Sequence, residues 1–261
     1  MYTTRTALIT GASAGIGEAF AEEYARKGCD VILTARRGGR LKALSQRLTQ
    51  RYGVRAHSFE ADLALPQAPE ILHQQITAQG LAVDILVNNA GYGVPGNFTE
   101  SAWQVHSDFI QVMCTAVAHL THLCLPRMVD QRWGHVINVA SVAALLPGNS
   151  QHTLYAASKA FCVKFSESLS LEVQSSGVHV TAACPGFTYS EFHDVLGVRP
   201  EMDALPKFLW LNATEVARQS ITAVERGQVL CINGGIYKVI VGLVKIMPYR
   251  LSRWLTSRRP R

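Results

Sequence analysis

Seven short apolar runs alternate with helix-like segments along the chain, and this alternation limits the possible folds more than any other feature. The predicted strands span residues 7–10, 31–34, 54–59, 84–88, 135–140, 178–184 and 228–232. Apolar residues at helical spacing predict helices over residues 15–28, 40–52, 69–79, 101–131, 154–175 and 213–226. Strands that are apolar along their whole length are typical of parallel sheets covered on both faces. The sequence therefore predicts one doubly wound α/β domain, with helices on both faces of a parallel sheet.

The composition excludes several classes of protein. Hydrophobic residues make up 48% of the 261 residues and charged residues 17%, which rules out a disordered chain and allows a large core. The net charge is +6, but no basic helix with interleaved aromatic residues occurs before the C-terminal tail, so we expect no nucleic-acid partner. The six cysteines form no C-x-x-C pair, so we expect buried thiols in a reducing compartment and no metal site.

Neither a signal peptide nor a membrane-spanning helix is expected. Residues 1–10 lack a charged start followed by a long apolar run. No stretch of about 18 uncharged apolar residues occurs, which is the length that a spanning helix needs. These features predict a cytoplasmic protein, with membrane association as an alternative that depends on the C-terminal tail.

A glycine-rich turn joins the first predicted strand to the first predicted helix. Its sequence is Thr10-Gly11-Ala12-Ser13-Ala14-Gly15-Ile16-Gly17. Glycine permits a tight turn and close approach of a phosphate to the backbone, and the start of a helix offers free N–H groups and a partial positive charge. A glycine trio alone is a weak signal, but here the flanking strand and helix supply the required context. The turn therefore predicts a dinucleotide site formed by Gly11, Ser13, Ala14, Gly15, Ile16 and Gly17.

The residues after the second predicted strand indicate which dinucleotide is bound. Folds that prefer NAD place an acidic residue there, which accepts a hydrogen bond from the ribose 2′-hydroxyl. This chain instead has Ala35 followed by Arg36 and Arg37. Because an arginine pairs bidentately with a 2′-phosphate, the sequence predicts NADP(H) rather than NAD(H). The alternative is that both arginines are solvated surface charges.

Five motifs, in this order, resemble those of the short-chain dehydrogenase/reductase family. They are the turn at residues 10–17, Asn88-Asn89-Ala90-Gly91, Ser141, Tyr155-Ala156-Ala157-Ser158-Lys159 and Pro185-Gly186-Phe187. The resemblance covers residues 5–235. It implies a single Rossmann-type domain with a seven-stranded parallel sheet, over residues 1–235, and hydride transfer between a nicotinamide and a carbonyl or alcohol. Residues 236–261 then form a C-terminal extension, apolar at first and basic at its end.

The resemblance also implies which residues contact the cofactor. The residues expected beside the adenine are Asp62 and Leu63. The residues expected to support the cofactor and the central strand are Asn89, Ala90 and Gly91. The residues expected near the nicotinamide are Pro185, Gly186 and Thr188, with Ser190 in place of a threonine that is frequent in the family. Lys159 is expected to bind the nicotinamide ribose.

The chemistry of a catalytic site follows from Tyr155, Lys159 and Ser141. Tyr155 and Lys159 are four residues apart, so on a helix both side chains lie on one face. A nearby ammonium favours the phenolate form of a phenol, which predicts Tyr155 as the proton donor in reduction and the acceptor in oxidation. Ser141 is expected to hold the substrate oxygen by a hydrogen bond as charge develops. A Y-x-x-x-K pair alone also arises by chance on surface helices, and the upstream serine and glycine turn favour catalysis.

One position departs from the family pattern. The family usually carries an asparagine in the middle of the long helix, where it helps to hold a water that links the lysine to solvent, and here that position is Met113. A thioether is a poor hydrogen-bond partner. Three interpretations stay open: the proton relay uses other groups, the enzyme is slow, or the chain binds a nicotinamide cofactor with weak or no catalysis.

The loop expected to contact the substrate spans residues 187–212 and is rich in apolar side chains. It contains no cluster of cations for a phosphate or a coenzyme A group, so we expect a hydrophobic ketone, aldehyde or secondary alcohol as the substrate. His152, three residues before Tyr155, is close enough in sequence to contact that substrate. A structural or surface role for His152 is the alternative.

The C-terminal extension has two interpretations. Residues 236–247 are apolar except for Lys238, Gly242 and Lys245, and five arginines follow at positions 250, 253, 258, 259 and 261. Such a segment binds an anionic membrane surface, as in a peripheral enzyme of lipid metabolism, or packs on the domain or on another subunit. The family resemblance also implies a homo-oligomer, a dimer or tetramer, that pairs the helices over residues 101–131 and 154–175.

Overall fold

A parallel sheet of seven strands forms the centre of the computed structural model, which describes residues 5–148, 150, 153–189 and 206–252. The strands are β1 Thr6–Thr10, β2 Asp30–Ala35, β3 Ala56–Glu60, β4 Ile85–Asn88, β5 Gly134–Val139, β6 Val178–Cys184 and β7 Leu230–Ile232. Each neighbouring pair is parallel, and the order across the sheet is β3-β2-β1-β4-β5-β6-β7. The predicted doubly wound, Rossmann-type α/β fold is therefore confirmed.

Helices cover both faces of this sheet. The α-helices in the described residues are α1 Gly15–Arg26, α2 Gly38–Tyr52, α3 Ala68–Ala78, α4 Trp103–Ile110, α5 Ala116–Asp130, α6 Thr153–Val173, α7 Ala213–Glu225 and α8 Gly235–Ile246. Successive strand residues point to opposite faces, so Ile9 packs in a core with α1, α2 and α7, while Leu8 packs in a second core with α3, α5 and α6. The two cores explain why the strands are apolar at consecutive positions.

The strand order creates a crevice between β1 and β4. From β1 the chain proceeds to β2 on one side, whereas β4 proceeds to β5 on the other side. In open α/β sheets, ligands bind at such a switch point, outside the carboxyl ends of the strands. The glycine turn and residues 88–91 follow the carboxyl ends of β1 and β4, so the fold brings both motifs to this crevice.

The long helix predicted over residues 101–131 is interrupted. A π-helical turn, Gln111–Thr115, separates α4 from α5, and Met113 lies in its middle. The wider turn preserves the overall apolar pattern, so residue spacing gives no indication of it. The stretch Trp103–Asp130 is long and apolar enough to cross a membrane, but its residues Phe109, Leu120 and Met128 are buried against the domain. The stretch therefore behaves as a core helix.

Three aromatic rings stack where β5 and β6 begin. The ring centroids of Trp133 and His135 lie 4.5 Å apart, and those of His135 and His179 lie 5.6 Å apart with their planes almost parallel. The guanidinium carbon of Arg5 lies 4.1 Å from the centre of the Trp133 ring. Burial, aided by the positive charges of His179, Arg5 and Lys27, lowers the pKa of His135 to about 4. The native state thus holds His135 neutral.

The apolar extension after residue 235 forms helix α8, which packs on the domain along one side only. Tyr237 and Val241 are buried and form a small core with Val142. Other apolar residues of α8 face outward. One side of the extension is therefore part of the folded domain, as the packing interpretation predicts, and the other side is a surface.

Candidate active site

The crevice above β1 is lined by bare backbone. Gly11 has a φ of +66°, and a Cβ atom at that position would lie 2.8 Å from the Cα atom of Ala90. A Cβ atom at Gly17 would overlap the carbonyl oxygen of Gly11. Ala14 precedes helix α1 and has no side chain that could cap its first N–H groups. A narrow backbone cradle with free N–H groups at a helix start fits a dinucleotide pyrophosphate.

Hydrogen bonds around Thr10 fix the position of this cradle. The backbone N–H groups of Asn89 and Ala90 both donate to Thr10 Oγ1, each at 2.9 Å, and Thr10 Oγ1 donates to the carbonyl oxygen of Val87 at 3.3 Å. Asn89 Nδ2 donates to the carbonyl oxygens of Thr10, at 2.9 Å, and Gly11, at 3.3 Å. These bonds join the ends of β1 and β4. Sequence analysis did not single out Thr10; its signal was a polar residue ending an apolar strand.

The two arginines after β2 have different surroundings. Arg37 donates to Ser13 Oγ from Nε, at 3.1 Å, and from Nη2, at 2.9 Å, so it braces the glycine turn. Burial and the negative Asp108 raise the pKa of Tyr92, and the charge of the exposed Arg36 partly offsets that rise. Arg36 directly follows the carboxyl end of β2, at the edge of the sheet where β1 and β4 also end. Arg37 is also exposed, so its role toward a 2′-phosphate stays a prediction.

An acidic residue that sequence analysis did not consider lies near this arginine pair. Glu60 ends β3 and pairs in register with Ala35 of β2. Its carboxylate lies so close to Gly38 that a Cβ atom there would overlap Oε2. The carboxylate therefore lies at the start of α2, where the helix dipole stabilises negative charge. The sequence feature that marks Glu60 is a single acidic residue directly after the third predicted strand.

The residues expected beside the adenine follow β3 directly. Asp62 Oδ1 accepts a hydrogen bond from the backbone N–H of Ala64 at 3.1 Å, and Leu63 is buried. The side chain of Asp62 thus shapes the turn in which it lies. Both residues occur at the carboxyl edge of the sheet, on the same side as Arg36.

Ser141, Tyr155 and Lys159 come together at the carboxyl end of β5. Lys159 is only 6% exposed, and its Nζ donates to the carbonyl oxygen of Val139 at 2.7 Å. The same Nζ lies 5.7 Å from the centre of the Tyr155 ring, one helical turn earlier on α6. Ser141 Oγ accepts from the backbone N–H of Ala143 at 3.2 Å and donates to the carbonyl oxygen of Pro185 at 3.5 Å. Ser141 and Lys159 are thus both held at the end of β5, with the ring of Tyr155 near the amine.

The segment after β6 is held against the same site. The backbone N–H of Val142 donates to the carbonyl oxygen of Pro185 at 3.0 Å, and Thr188 Oγ1 donates to that of Gly186 at 3.0 Å. A Cβ atom at Gly186 would overlap the ring of Tyr237 on α8. Position 186 therefore requires glycine, because the neighbouring ring leaves no room for a side chain. Ser190 and His152 lie outside the described residues.

Tyr237 is a structural contributor that sequence analysis missed. Its hydroxyl accepts a hydrogen bond from the backbone N–H of Phe187 at 3.0 Å and donates one to the carbonyl oxygen of Leu209 at 2.6 Å. Burial raises the pKa of Tyr237, so the hydroxyl stays protonated and can donate. The sequence feature that could have indicated Tyr237 is an aromatic residue with a hydroxyl group in an otherwise apolar helix.

Met113 packs where the family asparagine usually lies. It is fully buried, and its Sδ atom lies 2.9 Å from the position that a Cβ atom on Gly91 would take. The backbone carbonyl oxygen of Met113 accepts a weak hydrogen bond from Cys162 Sγ at 3.7 Å. The side chain therefore fills the space beside the residue 88–91 motif and provides no hydrogen-bonding group to Lys159.

A cleft next to Tyr155 is mostly apolar. Its lining includes Val94, Phe98, Phe109 and Leu154, and the ring of His106 also contributes. His106 is buried, its Nε2 donates to the carbonyl oxygen of Phe98 at 2.8 Å, and its Nδ1 has no partner among the described residues. The cleft opens beside the hydroxyl-bearing residue that is expected to exchange the proton.

Comparisons with known proteins agree with this geometry. A family model described as short chain dehydrogenase matches residues 5–197. Over 242 residues the chain is 30% identical to the 3-oxoacyl-(acyl-carrier-protein) reductase FabG of Aquifex aeolicus (strain VF5), a match that covers 89% of this chain and 97% of that protein.

Two solved structures of similar proteins contain different nicotinamide cofactors. A short-chain dehydrogenase from Sphingobium yanoikuyae in complex with NADPH has 30% sequence identity and a TM-score of 0.81, over 94% of this chain and 97% of that one. A short-chain dehydrogenase/reductase from Burkholderia phymatum in complex with NAD has 26% identity and a TM-score of 0.80, over 100% and 98%. The chain belongs to the short-chain dehydrogenase/reductase family, and it is an oxidoreductase that uses a nicotinamide cofactor.

Proposed function

We propose that the protein is an NADP(H)-dependent reductase of a hydrophobic ketone or aldehyde, or a dehydrogenase of the matching alcohol. The observation that carries the proposal is the convergence of Ser141, Tyr155 and Lys159 beside an apolar cleft and a glycine cradle. The bound nicotinamide supplies the hydride in reduction and accepts it in oxidation.

The three side chains have separate roles in this proposal. Tyr155 gives its hydroxyl proton to the carbonyl oxygen in reduction and takes it back in oxidation. The hydroxyl of Ser141 donates only a long, 3.5 Å bond, to the carbonyl oxygen of Pro185, so it can turn to donate to the substrate oxygen instead. An ammonium group has three donors, and Lys159 uses one on Val139, which leaves others for the cofactor ribose.

The preference for NADP(H) is supported by the residues that follow β2. Ala35 stands where a carboxylate would repel a 2′-phosphate, and the exposed Arg36 supplies a positive charge at the carboxyl edge of the sheet. Arg37 stabilises the glycine turn through its hydrogen bond to Ser13, so it supports the proposed cofactor site indirectly. The carboxylate of Glu60 lies against the start of α2, where the helix dipole favours negative charge.

The preference for a hydrophobic substrate is supported by the cleft beside Tyr155. Valine, leucine and phenylalanine side chains line it, and burying apolar substrate surface against them is favourable.

Met113 favours a second candidate function, a cofactor-binding protein with weak or no catalysis. The buried thioether provides no hydrogen bond to a water beside Lys159. The catalytic proposal differs from this one because it requires that the protein turns over a substrate by proton transfer from Tyr155.

One experiment tests the proposal and separates the two candidates. Consumption of NADPH and of NADH is followed optically with a panel of hydrophobic ketones and aldehydes, and the Kd of each cofactor is measured by fluorescence. The proposed function predicts turnover with NADPH and tighter binding of NADPH than of NADH. Equal or tighter binding of NADH overturns the NADP(H) assignment, and tight binding without turnover of any carbonyl supports the second candidate.

A further inference from the structure

The outward side of helix α8 carries a stripe of apolar side chains that no described residue covers. Val239, Leu243 and Ile246 are 57%, 55% and 81% exposed. Ile236, also exposed, lies on the same side, because steps of three and four residues return to one helix face. The stripe is opposite Tyr237 and Val241, which anchor α8 to the domain. A helix fixed along one side and apolar along the other presents a rigid surface for binding.

The charged side chains of α8 itself, and of the described residues that follow it, are all positive. Lys238 and Lys245 are exposed and, two turns apart, lie along one border of the stripe. Arg250 is exposed shortly after the helix. No aspartate or glutamate occurs between residues 226 and 261. Helix α8 therefore combines exposed apolar area with lysines along one border.

This pattern of charge selects among possible partners. A second copy paired antiparallel through this stripe would place the lysine borders of both copies on the same side, which costs electrostatic energy. An anionic lipid surface accepts both features, since apolar side chains enter the acyl boundary and lysines meet the headgroup phosphates. We propose that the outer stripe of α8, formed by Ile236, Val239, Leu243 and Ile246 with Lys238 and Lys245 at its border, binds the surface of an anionic membrane.

The contacts between α8 and the candidate active site determine which side of the domain would face the membrane. Tyr237 hydrogen bonds to Phe187 and to Leu209, in the segments that follow β6 and precede α7. Membrane contact along α8 thus places this side of the domain next to the lipid. The binding itself depends only on the exposed stripe and its charges, so it does not depend on the proposed reaction.

The test is co-sedimentation of the full chain with vesicles of phosphatidylcholine and phosphatidylglycerol in equal parts, at low salt and at about 0.15 M salt. The double variant Val239→Glu/Leu243→Glu should bind about tenfold or more weakly, because two apolar contacts become negative charges. The matched control is Leu65→Glu/Ile71→Glu, which alters two exposed apolar residues and adds the same charge elsewhere. This control should bind as the unaltered protein does.

Further measurements distinguish insertion of apolar side chains into lipid from attraction between charges alone. They also distinguish membrane binding from self-association. Lys238→Gln/Lys245→Gln should weaken binding at low salt, and vesicles of phosphatidylcholine alone should bind less protein. Circular dichroism verifies that each variant is folded. Any of three outcomes overturns the proposal: no vesicle binding at low salt, equal loss in the matched control, or a change of oligomeric state by light scattering in Val239→Glu/Leu243→Glu without vesicle binding.

Discussion

The side-chain amine of Lys159 donates a hydrogen bond to the carbonyl oxygen of Val139, with 2.7 Å between the two atoms. Val139 is the last residue of β5, and Ser141 follows two residues later. The bond ties α6 to the strand end, and it holds the amine 5.7 Å from the centre of the Tyr155 ring. A buried ammonium group is thus fixed beside the phenol by the backbone itself.

Replacement of the Tyr155 hydroxyl should remove turnover and leave cofactor binding in place. We expect Tyr155→Phe to lower kcat by about 10²–10⁴-fold, because the proton donor is lost while the ring remains. The Kd for NADPH should stay near its original value, since the glycine cradle and Lys159 are unchanged. Optical turnover assays and fluorescence titration measure the two quantities.

Tyr249→Phe is the control for that variant, because this tyrosine is exposed and far along the chain from the site. It should retain the original kcat. If Tyr155→Phe turns over substrate at a similar rate, the assigned proton transfer is incorrect.

Arg36 should set the preference between the two dinucleotides. We expect Arg36→Ala to weaken NADPH binding by about 10- to 100-fold, the value of a lost charge-assisted hydrogen bond, and to change NADH binding little. Titration of both cofactors measures the effect. Arg226→Ala, which removes an exposed arginine elsewhere, serves as the control. An equal loss for both cofactors would show that Arg36 acts on the fold and not on the 2′-phosphate.

Met113 should contribute packing only. We expect Met113→Leu to keep kcat within about threefold and to cost less than about 1.5 kcal/mol of stability, because the two side chains have similar volume. Met113→Asn is the informative partner variant. A kcat above that of the unaltered protein in Met113→Asn would show that the chain lacks a proton relay, and an unchanged or lower kcat would show that other groups provide it.

The stack of aromatic rings around His135 should make stability depend on pH. The pKa of His135 is about 4 in the native state and near its ordinary value of 6.5 in the unfolded state, so the unfolded state binds more protons as pH falls. The free energy of unfolding should therefore drop by about 2 kcal/mol between pH 7.5 and pH 5. Urea unfolding at the two pH values measures this change.

His135→Val should remove most of that pH dependence, because valine suits a strand and does not titrate. His122→Gln, which alters an exposed histidine, should retain it. The same slope in His135→Val and in the unaltered protein would assign the effect to other groups.

The sheet and most helices could be predicted because their signals are local. Apolar runs mark each strand, and β6 begins and ends where the sequence predicts. Helix α1 ends at Arg26, two residues before the prediction, because Gly28 takes a positive φ. The π-helical turn at Gln111–Thr115 could not be predicted, since it inserts one residue per turn and leaves the apolar pattern intact.

The site was predictable to the extent that its residues occur in motifs. Ser141, Tyr155 and Lys159 converge because strand ends meet at one edge of the sheet. Contacts between distant segments, such as Thr10 with Asn89 or Tyr237 with Phe187, leave no periodic trace in the sequence. The catalytic and cofactor roles, and the homo-oligomer, stay predictions.

The ring of Tyr237 fills the volume that any side chain at position 186 would need, and its hydroxyl bridges Phe187 and Leu209. A chain shortened after residue 235 would therefore leave an empty hole beneath the strand-end loop and two unmet backbone groups. Its loss of activity would reflect lost packing beneath the loop that follows β6 and not the loss of a catalytic group. Helix α8 is thus inseparable from the fold of the domain, although the family resemblance ends just before it.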